Sequence, residues 1–327
     1  MNAFRMITGA RKIVEVCTAV KPGEKVVIVT DSSLIAIADV LAAAAHERNA
    51  EVVITVMAPA RVDGAEPPRA VVEAMKAADV AIMPVSYSIS HSEGMREALA
   101  SGTRIAALSG FTEEMMVRGG IEADFPALRP VCDGVAAAMG KAQKAVLTTP
   151  AGTDVRMNLA GRPGNSHSCI VDQPGKYTAI PNIEANISPV DAEGVIVFDG
   201  SIPNLRMGVV DAPVTIEVRD GSIGSITGGR QAAILRSIWE RQADPSVYNI
   251  AQLAVGLNPE CTAFTGVFLN DHGANGTVHI GIGTSAALGG SLQSPMHLDG
   301  MMYEPTLLLD GEAIIKDGVV SAALTRV

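Results

Sequence analysis

Residues 25–57 read KVVIVTDSSLIAIADVLAAAAHERNAEVVITVM. The first seven of them, Lys25–Asp31, form an apolar run that predicts a buried strand, and Asp31-Ser32-Ser33 supplies polar side chains typical of a helix start. An alanine-rich helix follows, after which Glu51–Met57 repeats the apolar strand pattern. Two continuously apolar strands joined by a helix indicate a parallel pair that is covered on both faces. This stretch therefore predicts an α/β fold.

The same alternation continues to about residue 145, where the pattern changes. VAIMPVS and TRIAALSG predict further strands between helices, whereas short alternating segments joined by turns follow from about residue 146. Asp-Gly pairs, which are hairpin signals, occur in the second part at 199–200, 220–221, 310–311 and 317–318. We predict an α/β domain with a parallel sheet over residues 1–147. An α+β, mostly antiparallel domain is predicted over residues 148–327.

Composition argues against several classes of partner. The 327 residues carry a formal net charge of −10 and a sequence pI near 5.1, which disfavours nucleic acid and anionic membranes as main partners. The longest apolar run, IAIADVLAAAA, is too short to span a bilayer, and the N-terminus lacks the apolar segment of a signal peptide. Four dispersed cysteines without a CxxC pair indicate reduced thiols. A cytoplasmic protein with a small-molecule substrate is expected.

Three of the six histidines lie in the stretch 271–299, DHGANGTVHIGIGTSAALGGSLQSPMHLD. His297 and Asp299 are two residues apart, so on a strand they project from one face and could hold the same cation. An imidazole and a carboxylate are two ligands of a 2-His-1-carboxylate site, and equally of a hydrolytic zinc-type site. The pair therefore predicts a metal site, while His46 and His91 are assigned to solvated helix positions.

His279 lies on a second predicted strand of this region, GTVHIGIG. Val278, Ile280 and Ile282 would face the core, while His279 shares the opposite face with glycines that leave room for a ligand or another segment. The structural alternative is a half-buried histidine bonded to a backbone carbonyl. His272, in NDHGANG, is expected in a turn that faces solvent, with contact to substrate or to a metal ligand as the functional alternative.

A further carboxylate, Glu184, stands between two prolines in the polar segment IPNIEANISPV, which is interpreted as a loop. No Gly-x-Ser-x-Gly elbow lies near a strand–helix junction, and no glycine-rich phosphate-binding motif follows a strand. The sequence thus directs the functional interpretation to the histidines and carboxylates.

Four segments together resemble a known group of enzymes: PAGTDVRMNLAGR, IPNIEANISPVDAEGVIVFDG, GLNPECTAFTGVFLNDHGANGTVHIGIG and SPMHLDGMMYEPTLLLDGE. They are similar to the metallopeptidases of the aminopeptidase T and aminopeptidase S family. They are also similar to the related, shorter enzymes grouped with 2,5-dihydroxypyridine 5,6-dioxygenase. The resemblance covers essentially the whole chain and is most specific over residues 150–315. It implies a metal-dependent enzyme that assembles as a homo-oligomer.

In the aminopeptidases the resemblance implies two carboxylates, two histidines and an aspartate around two metal ions. The matching positions of this chain carry Glu184, His279, His297 and Asp299. Gln252 stands where a second glutamate is expected, and Ala286 where a tyrosine is expected. The dioxygenases place a histidine at the Gln252 position and lack one at the His279 position. The chain follows neither pattern fully, and the neutral amide of Gln252, a poor ligand, favours one metal ion over two.

The leading hypothesis is a metal-dependent, aminopeptidase-like hydrolase of a small amide, lactam or peptide-like substrate. His279, His297 and Asp299 would hold a divalent ion (Zn, Co, Mn or Fe(II)), with Glu184 as a further ligand or as the general base. Gln252 would contact the substrate or a water at the metal through its amide.

Two alternatives belong to different classes. The first is a non-haem Fe(II) dioxygenase that opens a hydroxylated pyridine or aromatic ring, with His279, His297 and Asp299 as its facial triad. The second is a non-catalytic protein that binds a small molecule. For either metalloenzyme, His297→Ala is expected to abolish metal binding, whereas His46→Ala is expected to leave it unchanged.

Overall fold

A computed structural model of the chain describes residues 3–90, 92–242 and 244–325, so that His91 lies outside the described residues. The α-helices are α1 (Ala3–Arg11), α2 (Ile35–Glu47), α3 (Arg69–Lys76), α4 (Glu93–Ala100), α5 (Phe125–Lys141), α6 (Arg230–Glu240), α7 (Phe268–His272) and α8 (Ala322–Thr325). Shorter helical turns are Lys12–Cys17, Gly120–Glu122, Asn204–Arg206, Pro245–Tyr248 and Ala286–Leu288.

The strands are β1 (Lys25–Asp31), β2 (Glu51–Met57), β3 (Val80–Met83), β4 (Arg104–Ala107), β5 (Lys144–Thr148), β6 (Asp154–Asn158), β7 (Gly164–His167), β8 (Tyr177–Ala179), β9 (Glu184–Ile187), β10 (Asp191–Phe198), β11 (Ser201–Ile202), β12 (Gly208–Val209), β13 (Val214–Arg219), β14 (Ser222–Gly228), β15 (Ile250–Gly256), β16 (Val278–Gly283), β17 (His297–Met302), β18 (Thr306–Leu309), β19 (Glu312–Lys316) and β20 (Val319–Val320).

The chain divides into two compact units, each made of two segments. The first unit comprises residues Met1–Arg129 and His167–Asn182, and the second comprises Pro130–Ser166 and Ile183–Val327. The sequence pattern predicts one break at residue 147. This division differs from it because residues 130–147 group with the second unit and residues 167–182 return to the first. There, β8 adds to β4 as a parallel strand, with Ile105 opposite Tyr177.

The first unit is built on a parallel sheet with the strand order β2-β1-β3-β4-β8. Residues 25–31 pair with residues 51–57 without interruption, which are the two strands that the sequence predicts. Helices follow the strands along the chain, and His46 lies at an exposed position of α2 as predicted. The parallel α/β prediction is confirmed.

Small aliphatic side chains and methionines form the core of this sheet, as the low aromatic content of 3% predicts. The buried cluster includes residues of β1, β3, β4, α3 and α4: Val27, Val29, Val72, Met75, Ala81, Met83, Met95 and Ala107. Burial of such side chains stabilises the fold by roughly 25 cal/mol per Å² of apolar surface. β1, β3 and β4 are buried as predicted. β2, which the sequence predicts to be covered on both faces, is the edge strand and exposes Val53, Ile54 and Val56.

The second unit contains an eight-stranded sheet and a five-stranded sheet. The larger sheet has the order β14-β13-β10-β6-β5-β18-β19-β20, and its neighbouring strands pair antiparallel. The smaller one, called the ligand sheet below, has the order β17-β16-β15-β9-β7, and β17, β16, β15 and β9 pair antiparallel. Trp239 of α6 is buried and donates its indole N–H to the carbonyl of Val247. The mostly antiparallel α+β prediction is confirmed.

Three of the four predicted Asp-Gly hairpins form. The pairs at 220–221, 310–311 and 317–318 each join two antiparallel strands, and both residues of each pair have positive φ, as a type I′ turn requires. Asp199-Gly200 instead connects β10 to β11, which belong to different sheets. A Cβ on Gly200 would lie 2.3 Å from the Phe264 ring, so this glycine allows a close approach and does not form a hairpin.

Within the described ranges, no helix combines the length and apolar character that crossing a bilayer needs. Cys17, Cys132, Cys169 and Cys261 are all buried and unbridged, in agreement with the reduced thiols that their spacing predicts.

Candidate metal centre

The ligand sheet brings the predicted site residues together on one face. Gln252 on β15 and Asp299 on β17 both lie opposite Gly281 of β16 in the strand register, so they form one row across three strands. The next row places Asn186, Ala254 and His279 side by side. Because side chains alternate along a strand, these two rows project to the same side of the sheet.

Asp299 accepts hydrogen bonds from two histidines. Its Oδ1 lies 3.0 Å from His297 Nε2, and its Oδ2 lies 3.2 Å from His272 Nε2. The Asp299 side chain is 1% exposed, so water does not screen these contacts. The prediction that His297 and Asp299 share a face of one strand is thus met by a direct contact.

His272 differs from the expectation of a solvent-facing turn residue. It is the last residue of α7 and is buried, with Nδ1 2.7 Å from the carbonyl oxygen of Phe268. Its ring lies 3.9 Å from the Phe268 ring and 4.4 Å from the His279 ring, measured between centroids. The preceding residue, Asp271, is fully buried and accepts the backbone N–H groups of Thr265 and Gly266. These bonds fix the chain before α7 and turn His272 inward.

His272, His279 and Asp299 can each place one ligand atom so that all three atoms lie within 4.8 Å of one another. This is the group in the described part of the chain whose spacing suits a metal ion. The sequence predicts His279, His297, Asp299 and Glu184 as ligands instead. The group thus contains two of the predicted ligands, His279 and Asp299, together with His272. The other two predicted ligands, His297 and Glu184, lie next to it.

Glu184 is buried at the start of β9 and is not in the loop that the sequence suggests. Its Oε1 accepts the side-chain amides of Asn186, at 2.7 Å, and Gln252, at 3.3 Å. Its Oε2 lies 3.8 Å from His279 Nε2. The alternation Glu-Ala-Asn-Ile, which places Glu184 and Asn186 on one face, is the strand signal that the two flanking prolines concealed.

The amide of Gln252 links the carboxylate to the histidines. Its Nε2 contacts Glu184 Oε1 and lies 3.3 Å from His279 Nε2, and its Oε1 lies 3.1 Å from His297 Nε2. In this orientation the Gln252 NH₂ group donates to the Glu184 carboxylate, whereas a flipped amide would place its oxygen against the carboxylate oxygen. Gln252 therefore joins two parts of the site without adding charge.

The protonation of the site follows from burial and from Asp299. Burial lowers the pKa of His279 to about 4, helped by the charge of His272, so this ring is neutral at neutral pH. Burial also opposes a charge on His272 and His297, but Asp299, aided by Glu184 and by a backbone carbonyl bonded to each ring, outweighs it and raises the pKa of both. The same two histidines hold the pKa of Asp299 well below its ordinary value, although burial alone would raise it. Asp299 is therefore ionised beside two histidines whose protonation it favours, and a metal ion bound here would compete with those protons.

Gly281 leaves the space that the His297 ring occupies, as the small residues beside His279 predicted. A Cβ at position 281 would lie 2.8 Å from His297 Cε1 and Nε2 and from Gln252 Cβ. We expect Gly281→Ala to displace the His297 ring and to lower the free energy of unfolding by roughly 1–3 kcal/mol, as overpacking does. Urea unfolding and the ring resonances of His297 measure these two effects.

Gly134→Ala is the matched control for that change. Gly134 lies within α5, and a Cβ there would meet no atom within 4 Å. The control should raise the free energy of unfolding by about 0.5–1 kcal/mol because alanine favours the helix. Wild-type stability and unchanged His297 resonances in Gly281→Ala would contradict the crowding argument.

Three contacts of the site were not predicted from the sequence. Asn186 bonds Glu184, Phe268 stacks on His272, and Asn204 accepts the backbone N–H of Asp299. Phe268 is four residues before His272, which is a helical contact spacing, so a helix prediction over NDH would have suggested that pair. Asn204 is 95 residues from Asp299 and offers no local signal.

The buried cluster of two histidines and a carboxylate has the composition of a site in metal-dependent enzymes. The chain belongs to the 2,5-dihydroxypyridine 5,6-dioxygenase family (NicX), whose family model matches residues 5–322. The relative 2,5-dihydroxypyridine 5,6-dioxygenase from Pseudomonas putida KT2440 is 27% identical over 267 residues, which cover 76% of this chain and 73% of that protein.

Two solved structures share the fold over nearly their whole length. The structure of 2,5-dihydroxypyridine dioxygenase from Pseudomonas putida KT2440 matches with a TM-score of 0.85 and 21% identity, covering 100% of both chains. AmpT, the aminopeptidase T of Thermus thermophilus, matches with a TM-score of 0.74 and 15% identity, covering 98% of this chain and 99% of that one. Both resemblances that the sequence motifs indicate are confirmed.

Proposed function

We propose that this chain is a non-haem Fe(II) dioxygenase that opens the ring of a hydroxylated N-heteroaromatic compound. The observation that carries the proposal is the group formed by His272, His279 and Asp299, which has the composition of a 2-His-1-carboxylate site. Membership in the dioxygenase family supports the same reaction class. The order of the two enzyme hypotheses drawn from the sequence is therefore reversed.

The donor set fits a divalent iron. His272 Nδ1 is engaged by the Phe268 carbonyl, so that the Nε2 lone pair remains for a metal, and His279 is neutral. Asp299 would supply the charged ligand, and His272 would give up the proton that it holds beside this carboxylate. When bound, ferrous iron would supply the redox chemistry with O₂ and hold the oxygen substituents of the substrate.

The surrounding side chains would orient these groups. His297 donates from Nδ1 to the carbonyl of Thr284 at 2.9 Å, which fixes its ring, and its Nε2 hydrogen bonds with Asp299. With 21% of its side chain accessible, His297 is more exposed than His272, His279 or Asp299. It is therefore the histidine placed to exchange a proton with a substrate hydroxyl. Gln252 and Asn186 hold the Glu184 carboxylate in place.

Hydrolysis remains the second candidate. Gln252 counts against its two-metal form, and the hydrogen bonds of Glu184 count against the one-metal form expected from the sequence. A second ion needs a further carboxylate where the neutral amide of Gln252 lies. Glu184, the predicted general base, accepts two amide hydrogen bonds on Oε1, and these stabilise its ionised form and weaken it as a base. The small-molecule substrate, the homo-oligomer and the cytoplasmic location expected from the sequence stay predictions.

The test is oxygen consumption by protein reconstituted with Fe(II) under anaerobic conditions. With 2,5-dihydroxypyridine or another hydroxylated pyridine as the probe, we expect one O₂ consumed per ring opened. Both atoms of ¹⁸O₂ should appear in the product, as a dioxygenase reaction requires. Chelation of the iron should abolish the reaction, and Fe(II) should restore it.

The competing outcome is equally specific. Turnover of aminoacyl anilides without O₂, supported by zinc, cobalt or manganese, would contradict the proposal and select the hydrolase. Protein that binds none of these metals would contradict both enzymes and select the binding protein.

A further inference from the structure

The strand that carries His297 and Asp299 lies at the edge of the ligand sheet. β17 pairs with β16 on one side, from His297 opposite Gly283 to Met302 opposite Val278. An edge strand leaves every second pair of backbone groups without a neighbouring strand, and such an edge bends and frays more easily than a central strand. A metal centre needs its ligands held within a fraction of an ångström. The outer edge of β17 therefore has to be fixed by other means.

The side chain of Asn204 occupies this edge. Its Oδ1 accepts the backbone N–H of Asp299 at 2.8 Å, and its Nδ2 lies 3.5 Å from the carbonyl oxygen of His297 as a longer donor contact. A residue on a neighbouring parallel strand bonds the carbonyl of one residue and the N–H of the second residue after it. The Asn204 amide reproduces this pattern opposite Leu298. Further along, the Gly200 N–H bonds the carbonyl of Met301.

Asn204 reaches this position from an unusual loop. Residues 203–207 connect β11 to β12, and Leu205 and Arg206 both adopt left-handed backbone conformations, with φ of 55° and 56°. Residues other than glycine rarely take this conformation, and two in succession persist where surrounding contacts require them. Leu205 is 60% exposed, so burial of its side chain does not explain the conformation. The contacts of Asn204 with β17 are one constraint on this loop.

We propose that Asn204 is a positioning residue of the metal centre, which holds the β17 backbone so that Asp299 and His297 keep their orientation. The inference rests on the metal centre of the proposed function. Asn204 acts through the backbone, since its amide bonds peptide groups and leaves the Asp299 carboxylate to the histidines. Loss of the amide would let the edge of β17 move. The metal centre would keep all its ligands, but their positions around the ion would change.

The experiment compares Asn204→Ala, Asn204→Asp and Leu205→Gly with the wild type. In the metal-free protein, amide hydrogen exchange at Asp299 should be at least about 10-fold faster in Asn204→Ala, because the N–H loses its acceptor. Asn204→Asp retains an oxygen acceptor and should keep most of the protection. Leu205→Gly relieves the left-handed conformation without removing the amide and should exchange like the wild type.

Co(II) binding provides the second readout. We expect Asn204→Ala to bind Co(II) roughly 10- to 100-fold more weakly, the usual effect of losing a partner that orients a ligand, and to shift the visible absorption bands of the bound ion. Leu205→Gly should show the wild-type affinity and spectrum. A lower melting temperature of Asn204→Ala with unchanged exchange at Asp299 and an unchanged spectrum would overturn the proposal, since Asn204 would then support only the loop.

The two readouts separate this proposal from the proposed function. Wild-type protein that binds no Co(II) would overturn the metal centre, and amide exchange at Asp299 would then decide whether Asn204 holds β17. If Asn204→Ala does not fold, Asn204→Leu takes its place with the same expected results, because leucine keeps the size of the side chain and removes the acceptor. If the wild-type protein shows Co(II) bands but hydrolyses its substrate without O₂, the dioxygenase proposal is overturned. The positioning role is still supported in that case if Asn204→Ala shifts the bands.

Discussion

Replacement of Asp299 by asparagine should weaken metal binding by more than about 100-fold, beyond what loss of an outer partner of a ligand costs. The change keeps the shape of the side chain and removes the charge that His272 and His297 both contact. Equilibrium dialysis against Fe(II) or Co(II) measures the loss. Activity should fall with it, because the site loses its one carboxylate within the 4.8 Å group.

The same variant has a second effect on the metal-free protein. The raised pKa of His272 and His297 means that their protonation stabilises the fold below the ordinary value of 6.5, and this contribution is lost as the pH rises through the folded pKa. The lowered pKa of Asp299 contributes stability that is lost as the pH falls through it. In Asp299→Asn both contributions disappear, and burial should bring both histidine pKa values below 6.5.

Nuclear magnetic resonance titration of the histidine rings checks this second effect, with Asp154→Asn as the control. Asp154 is an exposed carboxylate of β6 whose removal should leave the histidine titrations and metal binding unchanged. Histidine pKa values that stay raised in Asp299→Asn would contradict the assignment of Asp299 as the source of the shift.

The parallel half of the fold was predictable because its signals are local. Residues 25–31 and 51–57 form strands with the predicted bounds, since a continuous apolar run between polar ends leaves few alternatives. β8 was missed because it has only three residues, Tyr177–Ala179, and depends on pairing with β4, which is about 70 residues earlier. No local pattern encodes that return of the chain.

The site shows the same division between local and distant signals. His297 and Asp299 were paired correctly because a strand places residues i and i+2 on one face. His279 was placed beside them because glycines surround it in sequence. His272 was assigned to a turn because its inward orientation depends on Asp271, which is anchored by Ser201 from a distant part of the chain. The register that aligns Gln252 with Gly281 is likewise absent from the local sequence.

The retained Glu184 and His279 explain why the sequence favoured the other enzyme class. The two family patterns carry a glutamate or a histidine at position 252, so Gln252 appeared only as a lost ligand. In the structure, the amide is a neutral link between Glu184, His279 and His297, and His272 completes the group with His279 and Asp299. The chain thus reaches a 2-His-1-carboxylate composition with a histidine that the motif comparison did not count.

His272→Ala is therefore expected to weaken metal binding by more than about 100-fold, as a ligand should, whereas His297→Ala should weaken it roughly 10- to 100-fold. The reason is that His272 Nε2 belongs to the group within 4.8 Å, while His297 Nε2 is shared between Asp299 and Gln252. His46→Ala, at an exposed helix position, should bind metal like the wild type. Dialysis with each variant at equal protein concentration gives the three affinities.

The order of the first two affinities decides between two ligand sets. The sequence motif alone predicts that His297→Ala abolishes binding, and that outcome, with His272→Ala binding normally, would restore His297 as the ligand in place of His272. Because proton and metal compete for His272, the wild-type affinity should also fall as the pH drops below the raised pKa of this histidine. If the affinity of His272→Ala depends on pH in the same way as that of the wild type, the competing proton belongs to another group. His297, which also contacts Asp299, would then be the group that carries this proton.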